Sequence, residues 1–413
     1  MINLVHLGMY LIGANFYDVN RFKRERAKQL RTRKNVLATI LIPAHNEEKS
    51  IVRCLDSVLK STVRNLEIVV IDDASTDRTL EIVYAYIRKH PDFNRSIRVV
   101  RCIQNVGKAA ALNKALESGL KGEYIMTLDA DSVLHPNAIE NAVEYFLEDP
   151  NVAGVAANVR VIDSMSILGL LQKFEYMVGY RSKKFYTVSN CEFIIGGVAS
   201  TYRYSTLKEV GFYDDDVQTE DIALSLKVAS LGNRKHKLVY GYDVIAMTEG
   251  VQTFKALLRQ RYRWKLGSLQ SLFKHKSLFM NIGRRYNPSL TWYRIPMAFM
   301  GELIVLTEPI LMAVIIYFSF LALSPQAFIG AYALITAYLL WNVWPDEHMP
   351  IADKIRMTSY APVMYFLFYI MNVVQLIAVV RCLFNMRQVL RLDPTSSVWT
   401  SPERAGSHIT PIS

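Results

Sequence analysis

Short apolar runs alternate with amphipathic segments between residues 36 and 131, and this alternation constrains the fold more than any other feature. The apolar runs read as strands at Val36–Ile42, Leu66–Ile71, Ile97–Ile103 and Tyr124–Leu128. The segments between them have the period of helices, at 47–60, 77–89 and 107–118. Short β-α-β connections of this kind place strands side by side in parallel with right-handed crossovers. We therefore predict an α/β fold with a mostly parallel sheet.

Polar residues follow three of these strands directly, at Pro43–Glu47, Asp72–Asp73 and Asp129–Asp131. Ligands of parallel α/β sheets bind beyond the carboxyl ends of the strands, so we expect the three clusters to share one site. No G-x-G-x-x-G sequence follows the first strand, which argues against a dinucleotide-binding domain.

Asp129 and Asp131 are two residues apart at the end of an extended run, so their side chains are expected on one face. Two carboxylates in this arrangement suit a hard divalent cation, Mg²⁺ or Mn²⁺, that takes its other ligands from a diphosphate and water. Acidic residues after a strand are also common turn formers. The metal-site interpretation depends on the motifs that follow.

The first two polar clusters offer donors and acceptors suited to a nucleoside, although Asp73 could equally serve as a helix cap. Lys108 opens the third helix, where a free N-terminus and a cation suit a phosphate; an exposed first-turn lysine is the alternative. Asp221 precedes another helix and fits either a general base or an acid that complements the helix dipole.

A basic amphipathic helix is predicted at 253–275, and it carries the sequence Gln-Arg-Tyr-Arg-Trp. Gln260, Arg263 and Trp264 share one face of this helix by their three-and-four spacing. A guanidinium matches phosphate oxygens, and an indole offers an apolar surface for a sugar ring. A helix of this composition also suits a membrane interface, and different faces can serve both purposes.

The 413 residues are 51% hydrophobic, and the excess lies near the C-terminus in the runs 303–323, 327–344 and 359–380. Each run is near the roughly 20 residues that a bilayer core requires, so we predict three membrane segments and a looser N-terminal anchor. Three crossings would place the basic tail outside, which the positive-inside rule disfavours. Either one segment is interfacial or re-entrant, or the tail does cross the membrane. The segment 296–323 is the favoured irregular one because it contains Pro309.

The formal charge of +11 is concentrated beside the N-terminal apolar run, between Arg21 and Lys34. This placement favours anionic lipid headgroups over nucleic acid as the partner of the basic residues. The four cysteines are far apart in sequence and lack metal-ligand spacing. We expect buried free thiols in a reducing cytosol.

The motifs PAHNE, DDAS, Gly107-Lys108, DAD, TED and QRYRW occur in this order over residues 36–275. Together they resemble the membrane-embedded, processive family 2 glycosyltransferases, which include the cellulose, chitin, hyaluronan and poly-β-1,6-N-acetylglucosamine synthases. The resemblance is closest to the last group. It implies a Rossmann-like GT-A domain followed by transmembrane helices. Any one of these motifs alone would be weak evidence for the family.

The resemblance also implies roles for individual residues. The UDP base and ribose would contact Ala44, Asn46, Glu47 and Asp73, with Lys108 nearby. Asp129 and Asp131 would bind UDP and the metal, and Asp221 would be the catalytic base. The diphosphate and the acceptor end would be held by Gln260, Arg263, Trp264, Gly197 and Glu220.

The implied function is inverting transfer of a sugar, with N-acetylglucosamine favoured, from a UDP-sugar to a growing β-linked polysaccharide that is exported. The implied setting is the plasma membrane, crossed several times, with a cytosolic catalytic domain and room for a small accessory membrane subunit. Two alternatives remain: a single transfer to a lipid acceptor, and an inactive membrane scaffold. The expected division is 1–35 (anchor and basic segment), 36–250 (catalytic domain), 251–290 (interfacial helix region), 291–385 (membrane helices) and 386–413 (tail).

Overall fold

The computed structural model describes residues 8–10, 12–21, 36–91, 96–162, 166–321 and 325–392. Most of the predicted N-terminal basic segment, residues 22–34, and most of the C-terminal tail lie outside the described residues. Residues 12–21 are helical, as an N-terminal anchor would be.

In the described part of the chain, eight strands form one mixed sheet with the order β3-β2-β1-β4-β7-β6-β8-β5. The first four strands are parallel, which confirms the predicted β-α-β-α-β-α-β unit. Strand β7 is antiparallel to β4 and β6, whereas β8 is parallel to β6 and antiparallel to β5. The strands are β1 (Ala38–Ala44), β2 (Leu66–Asp72), β3 (Ile97–Arg101), β4 (Tyr124–Thr127), β5 (Val133–Leu134), β6 (Val152–Val161), β7 (Ser200–Arg203) and β8 (Lys237–Thr248).

The helices predicted at 47–60, 77–89, 107–118 and 253–275 are confirmed, with ends that differ by at most a few residues. The helices of the α/β part are α1 (Ile51–Leu59), α2 (Thr79–Lys89), α3 (Lys108–Glu117), α4 (Ala138–Glu148), α5 (Ile167–Val188), α6 (Tyr204–Val210), α7 (Glu220–Gly232) and α8 (Phe254–Lys274). A 3₁₀ turn at Lys276–Leu278 and a π-helical segment at Ser289–Arg294 follow. The apolar C-terminal helices are α9 (Ile295–Leu321), α10 (Gln326–Val343) and α11 (Ile351–Phe384), and a short α12 (Met386–Leu390) ends the described chain.

The sheet is covered on both faces, as its continuous apolar strands require. Every residue of β1 is buried, and the period of two sends Ile40 and Ile42 into one hydrophobic cluster and Leu41 into the other. Helix α1 packs Ile51 and Leu55 into the first of these clusters. All four cysteines are buried and free, which confirms the prediction from their spacing.

Within the described residues, one helical stretch is long and apolar enough to cross a bilayer: Phe366–Phe384, with a mean hydropathy of 2.0. A bent pair, Ser289–Thr307 and Pro309–Phe318, is a second candidate, and its two parts differ in direction by 43°. The bend lies at Pro309, in the segment that the sequence favours as irregular. One or two helices therefore meet this requirement, compared with the three segments predicted from the sequence.

Candidate active site

The loop after β1 is bonded to the loop after β2 through Asn46. This residue has a left-handed backbone (φ 57°), and its side-chain oxygen accepts hydrogen bonds from the backbone N–H groups of Thr76 and Asp77, at 2.7 and 3.3 Å. The neighbouring Glu47 is buried and accepts a 2.6 Å hydrogen bond from the Ser50 hydroxyl. Together with the fully buried Ala44, these residues fix the shape of the first polar cluster.

Asp73 does not cap the helix that follows it, whose N-cap position is held by Arg78. Its fully buried carboxylate accepts hydrogen bonds from the backbone N–H groups of Val106 and Gly107, both at 2.9 Å. Asp73 therefore holds the turn from which α3 begins, and with it the position of Lys108.

Lys108 joins two acidic clusters that are far apart in the sequence. Its Nζ lies 2.6 Å from Oδ1 of Asp129 and 3.0 Å from Oε1 of Glu220. Burial disfavours the charged ammonium, but the charges of Asp129, Glu220 and Asp221 outweigh that effect and hold the pKa of Lys108 well above its ordinary value. One half-buried cation thus contacts both the turn after β4 and the first turn of α7.

Asp221 and Gly197 complete this cluster. Asp221 accepts a 2.9 Å hydrogen bond from the Ile222 backbone N–H and another from that of Gly197. A Cβ atom placed on Gly197 would lie 3.0 Å from Nζ of Lys108 and 3.6 Å from Oδ2 of Asp221. Any larger residue at 197 would therefore crowd the ammonium group of Lys108. The glycine leaves space beside the carboxylates of Glu220 and Asp221.

The electrostatics of this cluster increase the basicity of the Asp221 carboxylate. Burial raises the pKa of Asp221, and the adjacent negative charge of Glu220 raises it further. Lys108 and the two backbone N–H groups act in the opposite direction without cancelling the rise. A carboxylate with a raised pKa is a stronger base than an ordinary one, as proton abstraction from a hydroxyl requires.

Asp129 and Asp131 lie in the turn between β4 and β5. Asp131 is buried and accepts a 2.9 Å hydrogen bond from the Ser132 hydroxyl, whereas the Asp129 side chain keeps 27% of its surface exposed. The described residues contain no cluster of three or more His, Cys, Asp and Glu side chains suited to a metal. The aspartate pair fits a hard cation that keeps water ligands and shares a diphosphate, because carboxylate oxygens are its preferred protein ligands.

Helix α8 carries the Gln-Arg-Tyr-Arg-Trp sequence and packs beside α7. Arg263 is exposed, and no described residue pairs with its guanidinium. The side-chain oxygen of Gln260 is buried and has no hydrogen-bond partner among the described residues. The Arg263 side chain is therefore accessible from outside the chain, whereas the unpaired Gln260 oxygen is buried.

Sequence reasoning missed Arg261, which lies on the buried side of α8. Its guanidinium pairs with Glu175 of α5 at 2.7 Å and lies 4.2 Å from the centre of the Trp264 ring. Trp264 is thus held in place by a cation–π contact. The pair spans 86 positions of the sequence, so no local pattern could have indicated it.

A cavity of about 270 Å³ lies between α5 and α8. We call it the α5–α8 cavity; Arg261, Tyr176, Tyr180, Tyr186, Glu192, Ile194 and Arg294 are among its lining residues. It reaches the segment just before Gly197 and the helix that carries Trp264. Tyr176 and Tyr180 are four residues apart and so lie on one face of α5, whereas Tyr186 does not continue this spacing.

Curated relatives share part of this sequence. Over 278 aligned residues, this chain is 31% identical to the poly-β-1,6-N-acetyl-D-glucosamine synthase of Staphylococcus epidermidis, a match that covers 65% of each chain. The synthase of the same name from Staphylococcus aureus strain COL is 33% identical over 57% of this chain and 55% of its own length. The chain thus spans 55% to 65% of the length of these curated relatives.

A solved structure shares the fold over most of the chain. The mannosyltransferase PcManGT from Pyrobaculum calidifontis, in complex with GDP-Man and Mn²⁺, superimposes with a TM-score of 0.51. The match covers 83% of this chain and 96% of that protein at 21% identity. The predicted GT-A-like fold is therefore confirmed.

Residues 39–211 match the family described as glycosyl transferase family 2. This range contains the loop after β1, Asp73, Lys108, the aspartate pair and Gly197. We conclude that residues 39–211 correspond to a glycosyltransferase domain of family 2.

Proposed function

We propose that this protein transfers N-acetylglucosamine from UDP-N-acetylglucosamine to the end of a growing β-linked polysaccharide, with inversion at the anomeric carbon. One observation carries the proposal: Lys108 contacts both Asp129 and Glu220. The aspartate proposed to bind the donor therefore lies beside the residue that precedes the proposed base, Asp221. The choice of sugar is supported by the relatives, which are named poly-β-1,6-N-acetyl-D-glucosamine synthases.

In the proposed reaction, the acceptor hydroxyl oxygen attacks the anomeric carbon of the donor. The bond between that carbon and the diphosphate oxygen breaks, and UDP leaves with the bonding electrons. The hydroxyl proton passes to the Asp221 carboxylate. The raised pKa of Asp221 matches this task, because the carboxylate must be ionised before the step and able to hold a proton after it.

The donor would be held at the carboxyl ends of β1, β2 and β4. Ala44, Asn46, Glu47 and Asp73 would shape the nucleoside pocket, with the cation of Lys108 available to the diphosphate. Asp129 and Asp131 would hold Mg²⁺ or Mn²⁺, which supplies positive charge against the leaving group. Hydrogen bonds of Asn46 and Asp73 with loop backbone connect these loops to each other, which supports a preformed nucleotide pocket.

The acceptor would approach from the side of α8. Gln260, Arg263 and Trp264 would contact the diphosphate and the acceptor sugar, while Gly197 and Glu220 border the reacting end. The α5–α8 cavity offers three tyrosine rings for a carbohydrate. Its position beside α8 and the apolar helices supports passage of the product toward the membrane.

The proposed setting is the plasma membrane, with residues 36–250 as a cytosolic catalytic domain and residues 291–385 in the bilayer as a multi-pass region. The residues 251–290 would lie at the interface, between these two parts. Residues 1–35 would anchor the chain, and 386–413 would form the tail. Coupling of synthesis to export and pairing with a small accessory membrane subunit belong to the same proposal.

The test is UDP release by the purified full chain in bilayers, given a panel of UDP-sugars. Any polymer is then digested with linkage-specific glycosidases. The proposal expects UDP release with UDP-N-acetylglucosamine and a high polymer that a β-specific enzyme degrades. A discrete glycolipid without polymer would establish single transfer instead, and the absence of UDP release with every sugar would favour an inactive scaffold.

A further inference from the structure

A second cavity lies on the other side of α5, between the sheet and the end of α10. Its volume is about 90 Å³, and it is bounded by β6, β8, α5 and the turn after α10. We call it the α5–α10 cavity. It has room for roughly three water molecules, which is too small for a nucleotide or a sugar ring.

Four cations line this cavity: Arg160, Lys173, Arg181 and Lys184. Three of them have a carboxylate within ion-pair distance. Arg160 lies 2.9 Å from Asp346, Lys184 lies 2.7 Å from Asp18, and Lys173 lies 3.8 Å from Asp353. The positive charge of these three residues is therefore balanced within the protein.

Arg181 is the exception among the four. It is only 6% exposed, and its one hydrogen bond to a described residue is to the side-chain oxygen of Asn15, at 3.3 Å. Its Nε is buried without a hydrogen-bond partner among the described residues. Burial lowers the pKa of Arg181, and the charge of Asp18, which already pairs with Lys184, compensates only in part.

A buried guanidinium that has no described carboxylate within ion-pair distance is costly unless an anion from outside the chain pairs with it. The flat fork of its N–H groups matches phosphate oxygens. Lys173 and Lys184 line the same space and add donors. The stacked rings of Tyr180 and Tyr240, 5.4 Å apart, form an apolar wall that would exclude water from such a pair.

The position of the cavity indicates where the anion comes from. The turn that closes it follows α10, where the side chains of Trp341 and Trp344 are 56% and 50% exposed. Exposed tryptophans at the end of an apolar helix mark the level of lipid headgroups. The cavity therefore opens at headgroup depth when the apolar helices lie in a bilayer.

We propose that the α5–α10 cavity binds a phosphate group, supplied by the headgroup of an anionic lipid. The bound phosphate pairs with Arg181, and Lys173 and Lys184 flank it. Tyr176 and Tyr180 line both this cavity and the α5–α8 cavity, so the bound lipid lies across α5 from the proposed acceptor path.

The test measures binding without turnover, so it does not depend on the proposed reaction. The delipidated full chain is titrated with phosphatidylglycerol, with phosphatidylcholine and with inorganic phosphate, and bound molecules are counted by native mass spectrometry. Arg181→Gln removes the charge, and Met349→Trp fills the cavity without a change of charge. Arg78→Gln is the control, because Arg78 is exposed and pairs only with Glu81 on the surface.

We expect the native chain and the control to retain phosphatidylglycerol over phosphatidylcholine, and both cavity variants to bind it about tenfold or more weakly. Inorganic phosphate bound in place of the lipid, and lost in Arg181→Gln, would overturn the lipid source while keeping the phosphate site. Equal binding by the native chain and both cavity variants would overturn the site. If Arg181→Gln fails to fold by circular dichroism, Met349→Trp decides.

Discussion

The Nζ of Lys108 lies 2.6 Å from Oδ1 of Asp129, so a cation of the protein itself already occupies the side of the aspartate turn that faces Glu220. This contact connects the start of α3 to the loop that is proposed to receive the diphosphate. The acidic cluster is therefore held together before any donor or metal arrives. Several of the following predictions depend on this arrangement.

Replacing Lys108 with Met should weaken UDP binding by about tenfold or more, because a half-buried cation beside three carboxylates is lost. The measurement is UDP affinity by calorimetry. Lys114→Met is the matched control: Lys114 lies on the same helix, is exposed and bonds only to the Arg101 carbonyl. Equal UDP affinity in both variants would contradict the role assigned to Lys108.

Replacing Asp221 with Asn should reduce the rate of sugar transfer by about 10² to 10⁴-fold, because the amide cannot accept the hydroxyl proton. This loss corresponds to about 3 to 5 kcal/mol of transition-state stabilisation. UDP affinity should change little. Glu81→Gln makes the same chemical change at an exposed surface pair and should leave the rate unaltered. A fully active Asp221→Asn enzyme would exclude Asp221 as the base.

The rate should depend on pH through Asp221, whose pKa is raised to about 6 by burial and by the charge of Glu220. Only the ionised carboxylate accepts a proton, so kcat/KM should fall as the pH drops through about 6 and level off above it. Lys108 lowers this pKa, so the Lys108→Met variant should lose activity at a higher pH than the native enzyme. The measurement is kcat/KM from about pH 5 to pH 8; a flat profile over that range would be inconsistent with this assignment.

Gly267 should be required for the position of the base. A Cβ atom at 267 would lie 2.3 Å from Oγ1 and 2.7 Å from the backbone nitrogen of Thr219, the residue before Glu220 and Asp221. Gly267→Ala must therefore push α7 and α8 apart, at a cost of about 1 to 3 kcal/mol in the free energy of unfolding.

The rate of transfer by Gly267→Ala should fall more than its UDP affinity, and Thr219→Ala in the same chain should restore part of the rate by removing two of the three clashing atoms. Gly330→Ala is the control, because no atom lies within 4 Å of the added Cβ. A Gly267→Ala enzyme with native kcat would show that α7 tolerates the displacement.

Removal of divalent metal by a chelator should abolish UDP release, and added Mg²⁺ or Mn²⁺ should restore it, because the leaving diphosphate then lacks its counterion. Asp129→Asn and Asp131→Asn should each raise the metal concentration needed for half-maximal rate. Full activity in the presence of chelator would rule out the metal site at the aspartate pair.

Local patterns predicted much of the fold. The period of two in β1 and the period of 3.6 in α1 are visible in the sequence because burial on one face demands them. The antiparallel pairing of β7 with β4, and of β5 with β8, carries no such signal because it depends on distant segments. The apolar runs predict three membrane segments, whereas the length and hydropathy of the helices support one or two. Composition alone does not reveal the bend at Pro309.

The candidate site, like the fold, was predicted from local sequence patterns only in part. The motifs named Lys108, Asp129, Glu220 and Asp221 individually, and the structure brings them around one ammonium group. Sequence spacing favoured Arg263 of α8 but gave no reason to choose Arg261, whose partner Glu175 lies on another helix. Both the cavity between α5 and α8 and the isolated charge of Arg181 follow from tertiary packing.

Helix α8 packs on the backbone that precedes Asp221, pairs Lys265 with Glu302 of α9 at 2.7 Å, and contacts the long apolar helix α11. Helix α8 therefore links the segment that carries Asp221 to the apolar helices α9 and α11. With α11 in the bilayer, as proposed, a lipid or subunit that tilts this helix should alter the rate of proton transfer to Asp221 without contacting the nucleotide pocket.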